Sequence, residues 1–138
     1  MLGTFQHTID AKGRLFIPAR LREELGDVFY VTISNEECLW GFTPAGWENF
    51  KEKMRELPIL DKKKMRPFFT HAAKCDLDGQ GRILLSQFLR EFAHLDKNVT
   101  INGVDECVEF WDSDTWTMVD EQESTPENIS GVLSDLTL

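Results

Sequence analysis

Two arginines each stand directly after a glycine at the end of a short acidic motif. The first motif, Asp-Ala-Lys-Gly-Arg, covers residues 10–14, and the second, Asp-Gly-Gln-Gly-Arg, covers residues 78–82. A guanidinium group suits phosphate oxygens, or paired contacts to O6 and N7 of guanine, and the preceding glycine lets the backbone approach such a partner. The structural alternative is an Asp–Arg ion pair that stabilises a hairpin. Arg14 and Arg82 are the candidate binding residues.

The same motifs predict tight turns. An aspartate at the first position can accept hydrogen bonds from backbone N–H groups further along, and a glycine at the fourth position can adopt a positive φ. Asp10 with Gly13, and Asp78 with Gly81, are therefore the predicted turn-forming residues. The acids suit a role in orienting the arginines, since a carboxylate that faced a phosphate would repel it. Lys12 lies at the tip of the first turn, where it is either a phosphate contact or a solvated surface lysine.

No arrangement of side chains in the sequence predicts catalysis or metal binding. The three histidines show no ligand or triad spacing, the serines lack a nucleophile-elbow context, and the glycines form no phosphate-cradling loop before a helix. We therefore expect no enzymatic activity, no cofactor, no metal and no small-molecule substrate.

Three cysteines without a Cys-x-x-Cys pattern indicate buried thiols in a reducing compartment. A disulfide between Cys38 and Cys107 is the alternative, if the fold brings the two together. Cys75 with nearby His71 is a weak candidate for a metal or nucleophile site, because no second pair of ligands lies at a useful spacing.

The two motifs belong to a longer internal duplication. They lie 68 residues apart, Val31-Thr32-Ile33 recurs as Val99-Thr100-Ile101 at the same offset, and after a one-residue insertion Cys38 matches Cys107 and Trp47 matches Trp116. A collinear series of this kind indicates duplication and fixes the architecture. We predict one repeat over residues 5–50, a helical connector over 51–72, and a second repeat over 73–120. An acidic tail follows over 121–138, which we expect to be mobile, with Val132, Leu133 and Leu136 as candidate docking residues.

Each repeat is predicted to be a strand, a turn, a strand, a short helix, a hairpin and a second helix. In the first repeat these are strands near residues 5–9 and 14–17, a helix over 19–25, strands over 28–34 and 38–42, and a helix from Pro44 after the N-cap Thr43. In the second repeat, Asn102-Gly103 predicts the hairpin turn, and Ser86 and Asp112 predict helix N-caps. Hairpins without parallel crossovers indicate an α+β fold with a mainly antiparallel, barrel-like sheet about a pseudo-two-fold axis.

The formal charge of −9 is unevenly distributed. Residues 1–22 hold four Lys and Arg against one Asp, whereas residues 119–138 hold five acids and no base. Net charge bounds solubility and nonspecific attraction and does not decide the sign of one face, so a local basic surface is compatible with the composition. No apolar run approaches the length of a membrane span, and the N-terminus has no signal-peptide pattern, so we expect no membrane association.

The motif turn followed by Ile17-Pro18-x-x-Leu21-Arg22 resembles the SpoVT-AbrB DNA-binding domain. Two such domains in one chain that starts Met-Leu-Gly-Thr-Phe resemble the MraZ family of bacterial transcriptional regulators. The resemblance implies interleaved hairpins in a swapped-hairpin β-barrel flanked by short helices. It also implies a DNA face at Asp10 with Arg14 and at Asp78 with Arg82.

The resemblance implies double-stranded DNA and further copies of the chain as partners. Members form ring-shaped homo-oligomers in the cytoplasm, associate with the nucleoid, and bind short direct repeats upstream of the division and cell-wall gene cluster. These upstream sites include their own promoter, and members act as repressors at them. Two other functions stay open: an antitoxin-like regulator whose acidic tail wraps a protein partner, and a non-enzymatic interaction scaffold that uses surface aromatic side chains.

The two copies of the motif are not equivalent. The second has Gln80 where the first has Lys12, and Ser86 where the first has Pro18. We therefore expect the first copy to contribute more to DNA affinity. Arg22 and Arg90 recur on the helices after the motifs, and we favour a structural role for them. The basic run Lys62-Lys63-Lys64-Met65-Arg66 is either a solvated face or a flank for DNA.

Overall fold

The computed structural model describes residues 1–136 and shows an α+β fold. The strands are β1 (Leu2–Thr8), β2 (Arg14–Phe16), β3 (Val28–Ile33), β4 (Cys38–Phe42), β5 (Ala73–Asp76), β6 (Arg82–Leu84), β7 (Asn98–Val104) and β8 (Cys107–Asp112). The helices are α1 (Ala19–Leu25), α2 (Pro44–Arg55), α3 (Ile59–Lys64), α4 (Arg66–Thr70), α5 (Gln87–Phe92), α6 (Ser113–Glu123) and α7 (Pro126–Asp135).

All strand pairings between these elements are antiparallel, and they interleave the two halves of the chain. One sheet has the order β1-β7-β8-β4-β3-β5, and β2 pairs with β6 in a separate two-stranded sheet, which we call the β2–β6 ribbon. The order is symmetric about the β4–β8 pair, so β1 joins the hairpin of the second half and β5 joins the hairpin of the first. The predicted α+β class with a mainly antiparallel sheet is confirmed.

The predicted swapped-hairpin β-barrel is not confirmed. Within residues 1–136 the six-stranded sheet is open, with β1 and β5 at its two edges, and the ribbon is a second sheet. An isolated bridge between Ile9 and Leu15 links β1 to β2 across the first turn. The reason is local: β2 and β6 are three residues long, their ladder pairs the two strands with each other, and the single Ile9–Leu15 bridge does not join the ribbon to the large sheet.

Helix starts follow the predicted capping residues. Thr43 Oγ1 accepts a hydrogen bond from the Gly46 N–H at 3.0 Å, and Pro44 occupies the first helical position of α2. Ser86 caps α5 and Asp112 caps α6 through the equivalent side-chain oxygens. These predictions are confirmed because capping depends on residues only three positions apart.

One core is built from both halves. Leu15 and Ile83 from the ribbon, Leu21 and Leu89 from α1 and α5, and Phe29 from β3 are all buried in the same cluster. Each such side chain contributes about 1.5–3 kcal/mol when it leaves water. Since neither half encloses this cluster alone, the two halves stabilise each other and together position both motif turns.

The prediction of a hairpin turn at Asn102-Gly103 is wrong. Both residues lie inside β7, opposite Glu109 and Val108, and the chain turns at Asp105, whose φ is +58°. Asn102 is buried and its Oδ1 accepts from Thr4 Oγ1 at 2.6 Å. At Gly103 a Cβ would lie 2.6 Å from the backbone nitrogen of Leu2. This glycine therefore allows β1 to approach closely.

Strand β3 aligns with its repeat equivalent, β7, at a different offset from the one that matching residues indicate. Tyr30 lies opposite Phe42, and Thr100 lies opposite Trp111. Since Phe42 and Trp111 are repeat equivalents, Tyr30 corresponds to Thr100, an offset of 70 rather than 68. Phe29 therefore matches Val99, and both are buried. The matching Val-Thr-Ile triplets misled the alignment, because a shift of two residues keeps every side chain on the same face of a strand.

The region predicted as an acidic tail contains regular structure. Helix α6 runs on to Glu123, and α7 follows from the N-cap Thr125, whose side chain accepts from the Asn128 N–H. The described tail is therefore helical, while its mobility stays a prediction. Residues 137 and 138 lie outside the described residues. Between residues 1 and 136, no helix combines the length and apolar character that a bilayer span requires.

Candidate nucleic-acid interface

The first motif forms a turn that its own aspartate organises. Asp10 Oδ1 accepts hydrogen bonds from the backbone N–H groups of Lys12 at 3.0 Å and Arg14 at 2.9 Å. Asp10 Oδ2 accepts from the Nε of Arg14 at 2.7 Å. One carboxylate therefore holds both the turn and the arginine side chain.

The second motif repeats this arrangement. Asp78 Oδ1 accepts from the backbone N–H groups of Gln80 and Arg82, both at 2.9 Å, and Oδ2 accepts from the Nε of Arg82 at 2.9 Å. The backbone N–H of each arginine is the main cause that holds the pKa of its aspartate, Asp10 or Asp78, below the ordinary value. Both aspartates are therefore ionised at neutral pH, and each is paired with its arginine.

The glycines are required by conformation and by space. Gly13 has a φ of +89° and Gly81 a φ of +78°, both in the region that disfavours side chains. A Cβ at Gly13 would lie 2.6 Å from the Leu85 carbonyl oxygen and 2.8 Å from Arg90 Nε. A Cβ at Gly81 would lie 2.9 Å from Arg22 Cζ.

Arg22 and Arg90 therefore pack behind the turns, and they do so across the pseudo-two-fold axis. Arg90, in the second half, lies against the first turn and its Nη1 donates to the Ala11 carbonyl at 3.5 Å. Arg22, in the first half, lies against the second turn. Each half thus supports the other's motif, in line with the structural role favoured for these two arginines.

The β2–β6 ribbon places both motif arginines on one face. Arg14 lies opposite Leu84, and Phe16 lies opposite Arg82. Because side chains alternate along a strand, these four share one face while Leu15 lies on the other, buried in the core. The two arginines are diagonal neighbours, about 7–8 Å apart by the usual geometry of paired strands. The sequence predicted each arginine beside a turn but did not predict that the two would lie side by side.

Phe16 and Leu84 were missed by the sequence analysis. Both are exposed on the ribbon face between the arginines, Leu84 to 64%. The signal was available, since an apolar residue two positions after the motif arginine recurs in both copies.

The two arginines differ in their surroundings. The Arg14 side chain is 39% exposed, whereas that of Arg82 is 20% exposed and its guanidinium carbon lies 5.9 Å from the ring centre of Phe16. Each arginine bonds its aspartate through Nε, and within residues 1–136 neither arginine shows a hydrogen bond from its Nη groups. The outer edge of each guanidinium is therefore available to an acceptor from outside the chain.

The ribbon face of a single chain carries little net charge. The two Asp–Arg pairs cancel in net charge, and Lys12 at the exposed tip of the first turn adds one positive charge. Gln80 occupies the equivalent exposed tip of the second turn. One face of this kind can position an anionic partner but supplies little long-range attraction.

The described residues 1–136 contain no group of three or more His, Cys, Asp or Glu side chains that would hold a metal ion. The three thiols are free. Burial raises the pKa of Cys38 to about 12, that of Cys75 to about 12 and that of Cys107 to about 11, so each is protonated at neutral pH. Cys38 and Cys107 lie opposite Trp111 and Phe42 on paired strands and do not face each other, so the alternative of a disulfide is wrong.

Comparison with known proteins places the chain in a family. The family model described as "MraZ protein, putative antitoxin-like" matches residues 1–66 and 68–130. A relative from Carboxydothermus hydrogenoformans, named transcriptional regulator MraZ, is 48% identical over 118 residues, which cover 83% of this chain and 82% of the relative. The family model spans the two motif turns and the β2–β6 ribbon. The chain belongs to the MraZ family.

Proposed function

We propose that the chain is a sequence-specific, DNA-binding transcriptional regulator that binds short direct repeats as a ring-shaped homo-oligomer. The supporting observation is the β2–β6 ribbon, on which Arg14 and Arg82 share one face and bond their aspartates through Nε, while their Nη groups show no hydrogen bond within residues 1–136. In this proposal residues 5–50 and 73–120 are two SpoVT-AbrB repeats of a swapped-hairpin barrel, joined by 51–72 and followed by the tail 121–138.

A two-stranded antiparallel ribbon fits the major groove of B-DNA, where guanine presents O6 and N7 as paired acceptors. The fork of Nη groups on Arg14 or Arg82 suits that pair. Phe16 and Leu84 lie between the arginines and offer apolar contact to a thymine methyl group. Lys12, at the tip of the first turn, is placed for a phosphate on the flanking backbone.

The weak net charge of one face explains why several copies are needed. Each Asp–Arg pair is neutral overall, so one chain releases few counterions from DNA and gains little nonspecific affinity. Linked copies that engage successive repeats gain avidity without any new contact. A ring with its ribbon faces on one side meets this requirement, and direct repeats are the DNA arrangement that fits copies following one another in the same orientation.

In the proposed role the protein acts on the nucleoid in the cytoplasm. It represses transcription of the division and cell-wall gene cluster, including its own promoter. The name of the 48% identical relative, transcriptional regulator MraZ, supports the regulatory part of the proposal.

The test is fluorescence anisotropy with a labelled promoter fragment that carries the direct repeats and with a control fragment in which the repeats are scrambled. We expect tighter binding to the repeats, with affinity that falls steeply as salt rises, because phosphate contacts release counterions. Equal affinity for the two fragments would contradict sequence-specific recognition. Affinity without salt dependence would contradict a DNA-contacting arginine face altogether.

A second candidate is an antitoxin-like regulator with a protein partner. The observation that favours it is the exposed, acidic and partly apolar helix α7. In this case the purified chain would form an assembly smaller than a ring and would form a stoichiometric complex with that partner. Size-exclusion chromatography with light scattering separates this from a ring of identical copies.

A further inference from the structure

Helix α7 carries an apolar stripe that its own chain leaves exposed. Every residue from Pro126 to Asp135 is exposed, and Ile129, Val132 and Leu133 are 50%, 62% and 41% exposed. These three recur at the three- and four-residue spacing that places side chains on one face of a helix. A ten-residue helix is marginal on its own in water, so this stripe needs a surface to pack against.

The first half of the chain offers a surface of the matching shape. A groove of about 210 Å³ lies between α2 and the α3–α4 segment. Its lining is Lys51, Met54, Arg55, Lys62, Met65 and Phe69. Beside it, α3 exposes Ile59 and Leu60 at about three-quarters of their surface, 75% and 74%. The groove is therefore apolar in its floor and basic along its rim; we call it the basic groove.

The two surfaces are opposite in charge. The basic groove belongs to residues 44–70, which hold seven Lys and Arg against four Asp and Glu, and several of these bases, such as Lys62 and Lys63, are exposed. Residues 113–135, which form α6 and α7, hold six Asp and Glu and no Lys or Arg. The helical segment after β4 is therefore basic, and the helical segment after β8 is acidic.

We propose that α7 of one copy docks in the basic groove of the next copy, with its apolar stripe on Met54, Met65 and Phe69 and its acids facing the basic rim. The inference rests on the ring assembly in the proposed function and names the surfaces that would form it. Because the two surfaces differ, the contact is head-to-tail, and repeated contacts of this kind close into a ring when the rotation between copies permits.

Helix α7 does not occupy the groove of its own chain, because none of its residues lines that groove and all of them are exposed. Helix α6 packs on β7 and β8, in one half of the six-stranded sheet, while α2 packs on β3 and β4, in the other half. Only Ser124 and Thr125 separate α6 from α7, which keeps α7 beside the end of α6. The empty groove and the exposed helix of opposite charge therefore favour a second copy as the occupant.

The test uses three full-length variants at fully or largely exposed positions, followed by size-exclusion chromatography with light scattering. A groove variant carries Leu60→Asp and Lys62→Glu, and a helix variant carries Val132→Ser and Leu133→Ser. The matched control is Lys97→Glu, at an exposed lysine that belongs to neither surface. We expect the wild type and the control to assemble, and the groove and helix variants each to run as single chains. A monomeric wild type, or full assembly of either surface variant, would overturn the proposal.

Mixing the two surface variants identifies the direction of the contact. The helix variant keeps an intact groove and the groove variant keeps an intact helix, so an equimolar mixture should form a complex of two copies and no larger species. A mixture that stays monomeric would overturn the head-to-tail contact. Binding of a fragment with a single direct repeat, measured at low salt for the helix variant, separates this result from failure of the DNA proposal. That variant changes neither the ribbon face nor the basic run over residues 62–66, and contact with a single repeat does not need a ring.

Discussion

Replacing Arg14 with alanine should remove specific DNA binding while the protein stays folded and assembled. The Arg14 side chain is partly exposed, and its Nε donates a hydrogen bond to Asp10. Its loss leaves the turn in place, because Asp10 Oδ1 still accepts from the backbone N–H groups of Lys12 and residue 14. The change therefore acts on the ribbon face rather than on the core.

The expected magnitude follows from the fork of Nη groups. One bidentate contact to guanine is worth about 1–3 kcal/mol, which is about 5- to 150-fold in affinity. Two neighbouring copies on two repeats lose about 2–6 kcal/mol between them, enough to bring specific binding near the nonspecific level. Arg82→Ala should reduce DNA affinity by less, because the Arg82 side chain is only 20% exposed and lies over the ring of Phe16.

The assay is fluorescence anisotropy on a fragment with the direct repeats, run beside light scattering to confirm that assembly is unchanged. Arg20→Ala is the matched control, because this exposed arginine lies on α1 and not on the ribbon. We expect the control to bind like the wild type. An Arg14→Ala, Arg82→Ala double variant that binds with wild-type affinity would refute the assignment of these arginines.

Further outcomes follow from the turn and the thiols. Asp10→Asn keeps an oxygen for the turn but cannot pair with the arginine, so anisotropy should show several-fold weaker DNA binding. Since the pKa of Asp10 is lowered by folding, its stabilising contribution is present above its ordinary value of 3.8 and is lost as pH falls through the lowered value. The stability gap between Asp10→Asn and the wild type in urea should thus be constant from about pH 5 to 8 and shrink below about pH 4; a gap that grows in acid would contradict this. Gly13→Ala should lower the free energy of unfolding by about 1–3 kcal/mol, while Gly79→Ala, which meets open space, should change it by less than about 0.5 kcal/mol. With a pKa of about 11, Cys107 should be alkylated about 100-fold more slowly at pH 8 than an ordinary thiol, and Cys38, at about 12, about 1000-fold more slowly. Rapid labelling of either thiol in the folded protein would contradict its raised pKa.

Much of the fold could be predicted because it depends on short stretches of sequence. Helix α1 has the predicted bounds Ala19–Leu25, set by Pro18 before it and Gly26 after it. Strand β4 also matches its prediction over Cys38–Phe42. The motif turns are local in the same way, since each aspartate bonds to groups two and four residues away.

The remainder depends on contacts between distant residues. The residue pair Asn102-Gly103 has the composition of a turn, yet Gly103 serves the close approach of Leu2, about a hundred residues earlier. The common face of Arg14 and Arg82 depends on the pairing of β2 with β6, and no spacing within either motif reports it. The packing of Arg90 behind the first turn is likewise a contact between the two halves.

The direct measurement of the central claim is hydrogen–deuterium exchange of the full chain with and without the promoter fragment. If the β2–β6 ribbon is the DNA interface, exchange should slow at residues 10–16 and 78–84, while the basic run over residues 62–66 and helix α7 keep their rates. Slowing confined to residues 62–66, with both motif turns unchanged, would place the DNA on the basic helices and contradict the account.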